Sequence, residues 1–252
     1  MLISIIIPTY NSEKTIQSNL DSIKEQTYTS HEIIVLDNNS SDETINLIKK
    51  NNFKNIRIII EQDNGIYDAI NKGIIASSGD LISILHSDDT YYDTNVLKNV
   101  VNSFGENNID IVYGDLVYVK KNDTNYILRY WKPGVFRENI FWKGWQPPHP
   151  SFFAKKKLFI SKGLYKTEIG NSADVELMYR FLQTYKIRSY YLNKTLVKMR
   201  YGGTSNKNIR NIIKQNFQII KFLKIYNNLF KVMIFFICKL FERLKQFVVK
   251  KW

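Results

Sequence analysis

The chain has 252 residues, of which 44% are hydrophobic and 14% aromatic, so it is long and apolar enough to bury a large core, and intrinsic disorder is excluded. A single cysteine, Cys238, excludes an internal disulfide framework. The net charge is +13, and residues 205–252 carry +10 of it, because they hold eleven Lys and Arg residues against one acid, Glu242.

The first 115 residues alternate short β-branched runs with amphipathic segments. This alternation predicts strands at 2–7, 32–37, 56–60, 80–85 and 110–114, and helices at 12–26, 41–50, 66–77 and 93–104. Strands separated by helices favour an α/β fold with a mainly parallel, Rossmann-like sheet. Ligands of such sheets bind beyond the carboxyl ends of the strands. Polar residues follow all five predicted strands, and four of the five ends carry acids, so we expect the functional site at that edge.

Residues 116–204 combine shorter strands, aromatic loops and one clear helix with the sequence SADVELMYRFLQTY. No Gly/Ser-rich or Pro-rich linker separates this region from the first, so we treat residues 1–204 as one domain. The N-terminal sequence MLISIIIPTYN has no basic leader and no small-residue cleavage site. We therefore expect no signal peptide and a cytoplasmic location.

Residues 205–252 form a predicted basic, amphipathic helical tail. Its longest uncharged apolar run, VMIFFIC, is far shorter than the ~20 residues that span a bilayer. Helices that mix Phe and Ile with Lys suit the interface of an anionic membrane, although packing on the body or on a second subunit is the alternative. The basic residues share these helices with bulky aliphatic side chains, which disfavours nucleic acid as a partner.

Four motifs follow the predicted strands in order: PTYN at 8–11, DNNSSDET at 37–44, DNGIYDAINKG at 63–73 and HSDD at 86–89. In this order and spacing they resemble the motifs of family 2 glycosyltransferases of the GT-A fold, over roughly residues 3–204. The resemblance implies a nucleotide-binding half at 1–115 and an acceptor and catalytic half at 116–204. It also implies a role in bacterial O-antigen, capsule or exopolysaccharide biosynthesis.

The motifs after the first three strands have plain structural explanations beside the functional one. Pro8 ends a strand, Asn11 or Ser12 is suited to capping the next helix, and an Asp such as Asp37 is common in turns. A carboxylate also accepts the imide N–H of uracil, and the resemblance assigns Asp37 to that contact, which favours UDP. The nucleotide-binding residues implied by the resemblance are Pro8, Thr9, Tyr10, Asn11, Asp37, Gly65, Lys72, Ser87 and Asp88.

Two positions depart from the family pattern. Many members have arginine directly before the Asn of the third motif, where this chain has Ile70, so neutralising the diphosphate falls to Lys72 or to a residue of the second half. The family's Asp-x-Asp is replaced here by His86, Ser87 and Asp88. His86 is either a packed side chain or a contact to ribose or Mn²⁺.

Asp88 and Asp89 follow the fourth predicted strand, where a simple turn is the ordinary interpretation. The resemblance assigns Asp88 as the ligand of Mn²⁺ or Mg²⁺, with Asp89 as a helper. Two adjacent acids would repel a diphosphate unless a cation lay between them. A hard cation needs few protein oxygens when a diphosphate and water complete its shell.

Asp174 lies at the start of the helix in the second half, at the position of the family's catalytic base. Inverting transfer needs a carboxylate that takes the proton of the acceptor hydroxyl. Asp174 could equally be an ordinary acid in the first turn of a helix, where the macrodipole favours it. Glu176 is the reserve candidate for the base. The resemblance also places His149 and the loop 202–206 over the diphosphate or acceptor, whereas Trp142 and Trp145 are suited either to stacking on a sugar or to core packing.

The sequence thus predicts a metal-dependent, inverting glycosyltransferase. We expect it to move a hexose or N-acetylhexosamine from a nucleotide sugar, favouring UDP, to a glycan or lipid-linked glycan at the inner face of the cell membrane. Two alternatives stay open. A sugar nucleotidyltransferase would need a Gly-rich basic loop after the first strand, which PTYNSEKT is not, and a non-catalytic membrane-associated binding protein would not need its acids.

Overall fold

The computed structural model describes residues 1–106, 108–202, 209–223 and 228–248. These residues form nine strands in a single sheet, together with eight α-helices. The strands are β1 (Ile3–Thr9), β2 (His31–Asp37), β3 (Ile56–Ile60), β4 (Leu81–Ile84), β5 (Thr90–Tyr91), β6 (Ile111–Lys120), β7 (Asp123–Trp131), β8 (Phe152–Lys155) and β9 (Ser189–Arg200). The helices are α1 (Ile16–Lys24), α2 (Thr44–Lys50), α3 (Ile66–Ala76), α4 (Val96–Glu106), α5 (Lys156–Lys162), α6 (Ala173–Tyr179), α7 (Ile209–Phe222) and α8 (Leu229–Val248).

The strand order is β3-β2-β1-β4-β8-β6-β9-β5, and β7 pairs with β6 outside this path. The first four strands are parallel, and β6 and β9 are parallel to each other, whereas β8 is antiparallel to both of its neighbours. The predicted α/β fold with a mainly parallel sheet is therefore confirmed. Because β1 and β2 pair in register up to Thr9 and Asp37, their polar ends lie side by side.

All five predicted strands and all four predicted helices of the first half are present. The largest difference is at the fifth predicted strand, which runs on to Lys120 because its second half pairs with β7 in an antiparallel hairpin. The short strand β5 is not foreseen, since two residues show no periodicity. The helix predicted at 12–26 begins only at Ile16.

The core lies in two layers, one on each face of the sheet. Successive side chains of a strand point to opposite faces, so Ile6 belongs to the layer under α3, whereas Ile5 and Ile7 belong to the layer under α1. Helix α3 packs closely on β1 and β2. A Cβ added at Gly73 would lie 2.5 Å from Ile6 Cγ2 and 2.8 Å from Leu36 Cδ2.

The C-terminal residues that the structure describes are helical, as predicted, and both helices pack on the body. Helix α7 contacts the 3₁₀ segment Thr167–Ser172, where the Ser172 hydroxyl donates to Gln215 O over 3.2 Å. Helix α8 contacts β7 and the 3₁₀ turn Ile140–Lys143 and buries Phe235 almost completely. In the described part of the chain, every helix is too short or too polar to cross a membrane.

Candidate active site

The ends of β1 and β2 form the first wall of the site. Asp37 is buried, and both of its carboxylate oxygens accept from Ser40, one from the amide at 2.8 Å and one from the hydroxyl at 2.6 Å. The backbone N–H of Asn11 donates to Ser40 Oγ, and the side-chain Oδ1 of Asn11 accepts from the backbone N–H of Ser41. Asn11 therefore joins the two strand ends, and the alternative that Asn11 or Ser12 caps the first helix is wrong, because α1 has no side-chain cap.

The other residues of the first motif differ in exposure. Tyr10 is 60% exposed at the rim, whereas Thr9 is buried and its hydroxyl donates to Ile7 O. Carboxylate and hydroxyl oxygens each have a second lone pair for a ligand. A nucleotide contact by Pro8, Thr9, Tyr10, Asn11 and Asp37 stays a prediction.

Gly65 and Lys72 belong to the next strand end. Gly65 has φ 112° directly before α3, and the space where a side chain would stand is open. The Lys72 ammonium lies 3.1 Å from Glu61 Oε1 and 3.4 Å from Asp68 Oδ2, and it donates to Gln62 O over 2.9 Å. An ammonium has three protons, so these contacts must open before Lys72 reaches a diphosphate.

The turn after β4 is held through its backbone. The Asp89 amide donates to His86 O over 2.9 Å, and the Asn19 side chain of α1 donates to both His86 O and Asp89 O. Arg200, at the end of β9, donates to Asp88 O over 2.6 Å. Ser87 Oγ lies 2.8 Å from Ser12 Oγ.

The two adjacent acids of this turn differ in environment. Asp88 is half-buried, whereas Asp89 is 1% exposed and both of its carboxylate oxygens lack a hydrogen-bond partner in the described residues. Burial and the neighbouring Asp88 raise the pKa of Asp89 well above its usual value, against the charge of Arg200. Asp88 is therefore the acid of the pair that faces outward from the turn.

The protein supplies too few metal ligands here for a complete site, so substrate would have to provide the others. Among the described residues, no three His, Cys, Asp or Glu side chains cluster closely enough to hold a metal by themselves. A hard divalent cation accepts most of its ligands from a diphosphate and water when these are present. Asp88, with the buried and unpartnered Asp89 behind it, fits Mn²⁺ or Mg²⁺ in that form.

A row of aromatic side chains leads from this turn to Asp174. We call His86, His149, Tyr67 and Tyr165 the aromatic row. The His86 and His149 ring centroids are 5.8 Å apart, His149 Nε2 is 2.8 Å from the Tyr165 hydroxyl, and Tyr67 stacks on Tyr165 at 5.4 Å. The Tyr67 hydroxyl donates a hydrogen bond to the Asp174 carboxyl. The turn for which the sequence predicts a metal and the acid for which it predicts the role of base thus lie at the two ends of one contiguous row.

Asp174 lies in the first turn of α6, with its Oδ1 buried and without a partner among the described residues. Burial raises the pKa of Asp174 to about 6, against the Val175 amide, the Tyr67 hydroxyl and the charge of Lys239. A carboxylate with a pKa near 6 is ionised at neutral pH and still basic enough to accept a proton. Its Oδ1 has lone pairs that no described residue uses, although this atom is shielded from solvent.

Glu176, the reserve candidate, is engaged in structural contacts. It is 5% exposed and forms ion pairs with Arg180 at 3.1 Å and Lys166 at 3.0 Å. Arg180 also donates to Gly163 O and Leu164 O. This network fixes the loop before α6, so Glu176 anchors the helix that carries Asp174.

Several other predicted residues have structural positions. His149 is buried in the aromatic row, and burial beside His86 lowers its pKa to about 3, so its imidazole is neutral. Trp145 packs on Phe141 at 5.1 Å and donates from its indole to Pro133 O, which makes it a core residue. Trp142 lies under the Lys231 ammonium at 4.7 Å. In the loop predicted at 202–206, all residues after Gly202 lie outside the described residues.

Sequence reasoning missed three residues of this site. Tyr67 lies inside the third motif, so its position near the carboxyl ends of the strands could have been predicted from the sequence. Tyr165 is in a loop without a motif, and Lys239 is in the tail that we expected to face lipid. Only packing brings these two residues to Asp174.

Comparison with known proteins gives the family and the fold. The sequence model of "Glycosyl transferase family 2" matches residues 4–159. A PGL/p-HBAD biosynthesis glycosyltransferase of Mycobacterium bovis is 29% identical over 217 residues, covering 81% of this chain and 79% of that protein. The Escherichia coli protein WfgD, a UDP-Glc:alpha-D-GlcNAc-diphosphoundecaprenol beta-1,3-glucosyltransferase, is 34% identical over 122 residues, which is 48% of each chain.

Solved structures agree on the fold. S. aureus TarS 1-349 in complex with UDP-GlcNAc has a TM-score of 0.65 at 18% identity, over 87% of this chain and 67% of that one. The mannosyltransferase PcManGT of Pyrobaculum calidifontis, in complex with GDP-Man and Mn²⁺, has a TM-score of 0.62 at 17% identity, over 90% of this chain and 64% of that one. The family model covers more than half of the chain, and the fold is that of the GT-A structures. The chain therefore belongs to glycosyltransferase family 2 and is a glycosyltransferase.

Proposed function

We propose that the chain is a metal-dependent, inverting glycosyltransferase that moves a hexose or N-acetylhexosamine from a UDP-sugar to a lipid-linked glycan. The observation that carries this proposal is the pair of carboxylates at the two ends of the aromatic row. Asp88 stands half-buried on a turn whose backbone is fixed, and Asp174 is also half-buried, with a pKa of about 6 and one oxygen that has no partner among the described residues. Asp88 is suited to binding a cation, and Asp174 is suited to accepting a proton.

Asp88 would hold the metal together with the diphosphate, and bound Mn²⁺ or Mg²⁺ would neutralise the charge that develops on the leaving UDP. The Asp174 carboxylate takes the proton of the acceptor hydroxyl while Tyr67 holds the carboxyl from α3. The acceptor oxygen forms a bond to the anomeric carbon as the bond from that carbon to the diphosphate breaks. A base facing the side opposite the leaving group gives inversion.

The preference for UDP and for a lipid-linked acceptor has two kinds of support. Asp37 is an acceptor at the nucleotide end of the sheet, suited to the uracil imide. The similar WfgD is named for UDP-Glc and for a diphosphoundecaprenol acceptor, and TarS binds UDP-GlcNAc. The mannosyltransferase with a similar fold binds GDP-Man, so a comparison of UDP-sugars with GDP-sugars tests which nucleotide base this chain prefers.

We also propose that α8 rests on the anionic inner face of the cell membrane. Its outward side is a row of apolar side chains that are each more than a third exposed: Leu229, Phe230, Met233, Phe236, Ile237, Leu240, Phe241 and Leu244. Basic side chains such as Lys231 and Lys245 lie on the same helix. An apolar stripe flanked by lysines is typical of helices at anionic lipid interfaces.

The function is tested by sugar transfer from a panel of UDP- and GDP-sugars to an undecaprenyl-diphosphate glycan, with and without Mn²⁺. We expect one UDP-sugar to be used, and we expect Asp88→Asn to lower Mn²⁺-dependent UDP affinity at least about tenfold. Asp174→Asn should abolish transfer but leave UDP binding unchanged. The exposed carboxylates Asp21 and Glu168 are matched controls, as Asp21→Asn and Glu168→Gln. Wild-type transfer by Asp174→Asn would refute the mechanism.

A further inference from the structure

We propose that Arg200 is a positioning residue for the metal site, because its guanidinium holds the main chain of the turn that carries Asp88. The proposal rests on the proposed role of Asp88 as the metal ligand. In this role Arg200 touches the protein rather than the substrate, and it keeps the ligand in place from a strand that is distant in sequence.

The pairing of β5 with β9 brings Arg200 to the turn. The two strands are antiparallel, with Thr90 opposite Lys198. Two residues further along the same register, Arg200 comes opposite Asp88. The contact is made there, because Nη1 of Arg200 donates to Asp88 O over 2.6 Å.

The other guanidinium nitrogens of Arg200 bind two further elements. Nη2 donates to Ser18 Oγ of α1 over 2.9 Å, and Nε donates over 3.2 Å to Lys121 O, in the turn between β6 and β7. Arg200 is 9% exposed, so these hydrogen bonds are largely shielded from competing water. A planar guanidinium presents its donors in a fixed geometry. One side chain therefore ties the turn at Asp88 to α1 and to the β6–β7 hairpin.

Asn19 holds the same turn at two other carbonyl groups. Its side-chain amide donates to His86 O over 2.9 Å and to Asp89 O over 2.8 Å. Side chains of α1 and β9 thus bind three carbonyl oxygens of the turn. Among the described residues, the Asp88 carboxylate itself has no hydrogen bond and no ion pair. Arg200 therefore fixes the backbone of Asp88, whereas the carboxylate stays available to a ligand.

The test measures Mn²⁺ binding in the presence of saturating UDP, by electron paramagnetic resonance of the free ion. Partners that orient a metal ligand typically change metal affinity about 10–100-fold when they are removed. We therefore expect Arg200→Met to weaken Mn²⁺ binding at least about tenfold and to leave UDP affinity without metal unchanged. Arg57→Met is the matched control, because Arg57 also donates to a carbonyl, Ala76 O, but on the exposed surface.

The variant Arg200→Lys separates geometry from charge. Its ammonium keeps the positive charge but is a point charge without the planar fork of donors, so it should recover only part of the lost Mn²⁺ affinity. It is also the second variant if Arg200→Met does not fold, and thermal unfolding without metal checks the folding of each variant. Full recovery by Arg200→Lys would overturn the proposal, because charge alone would then explain the effect.

The remaining outcomes separate this inference from the proposed function. If Arg200→Met has a lower Tm but binds Mn²⁺ like the wild type, Arg200 has a structural role only and the inference fails. Loss of Mn²⁺ binding in Asp88→Asn would then still support the proposed function. If Asp88→Asn binds Mn²⁺ and UDP like the wild type, the proposed metal site fails, and this inference fails with it.

Discussion

The docking of α8 on the turn at Gly144 can be measured with a pair of glycine substitutions. Gly144 and Gly134 both have left-handed φ angles, of 74° and 70°, but a Cβ has no atom within 4 Å at Gly134, whereas at Gly144 it meets the backbone of Lys239. Alanine costs about 1–2 kcal/mol in this conformation at either position. Gly144→Ala must in addition push α8 outward, and such overpacking costs about 1–3 kcal/mol.

Gly144→Ala should therefore lose about 1–3 kcal/mol more than Gly134→Ala, which corresponds to about 3–9 °C in Tm at roughly 3 °C per kcal/mol for a chain of this size. Thermal unfolding followed by circular dichroism at pH 7.5 gives the comparison. Equal Tm losses for the two alanine variants would show that α8 does not pack on this turn in solution.

Four further predictions concern the base, its helix and the outward face of α8. The pKa of Asp174 is raised from 3.8 to about 6 in the folded protein, so kcat/KM of the wild type should rise with pH to a plateau above about 6. The protonated form favours folding, and this contribution is present below pH 3.8 and lost as pH rises through about 6, so Asp174→Asn should have a higher Tm than the wild type at pH 8 but not at pH 3.5. Glu176→Gln leaves Arg180 buried without its ion pair and should cost about 3–5 kcal/mol in urea unfolding, whereas the exposed Glu168→Gln should cost little. Leu240→Glu with Phe241→Glu should abolish sedimentation with vesicles that contain anionic lipid and leave Tm unchanged; unaltered sedimentation would refute the membrane surface.

The strands and helices of the parallel half of the sheet could be predicted almost completely from the sequence. β-branched runs alternate with amphipathic segments there, and each element interacts mainly with its neighbours along the chain. The side-by-side ends of β1 and β2 at Thr9 and Asp37 follow from that topology alone. Strand pairing beyond β4 is different, because β8 lies between β4 and β6 although it follows β6 in the chain. No local pattern records such an insertion.

The site was less predictable than the fold, for physical reasons that differ between residues. Asp88 and Asp89 both follow β4, and periodicity does not say which acid turns inward. The answer depends on the hydrogen bonds that Asn19 makes to the turn from α1. Lys239 has the spacing of a lysine in any amphipathic helix, and its burial depends on Gly144, a residue distant in sequence.

Helix α8 carries two faces on one rigid element. The outward face is an apolar row, and the opposite face carries Phe235 into the core and packs Lys239 against Gly144. A helix moves as a body, so a contact that holds the outward face also holds the inner face on this turn. Under the proposed membrane role, anionic vesicles should raise the Tm of the wild type, because a surface that binds only the folded protein stabilises it. A lowered Tm would mean that lipid pulls α8 away from Gly144.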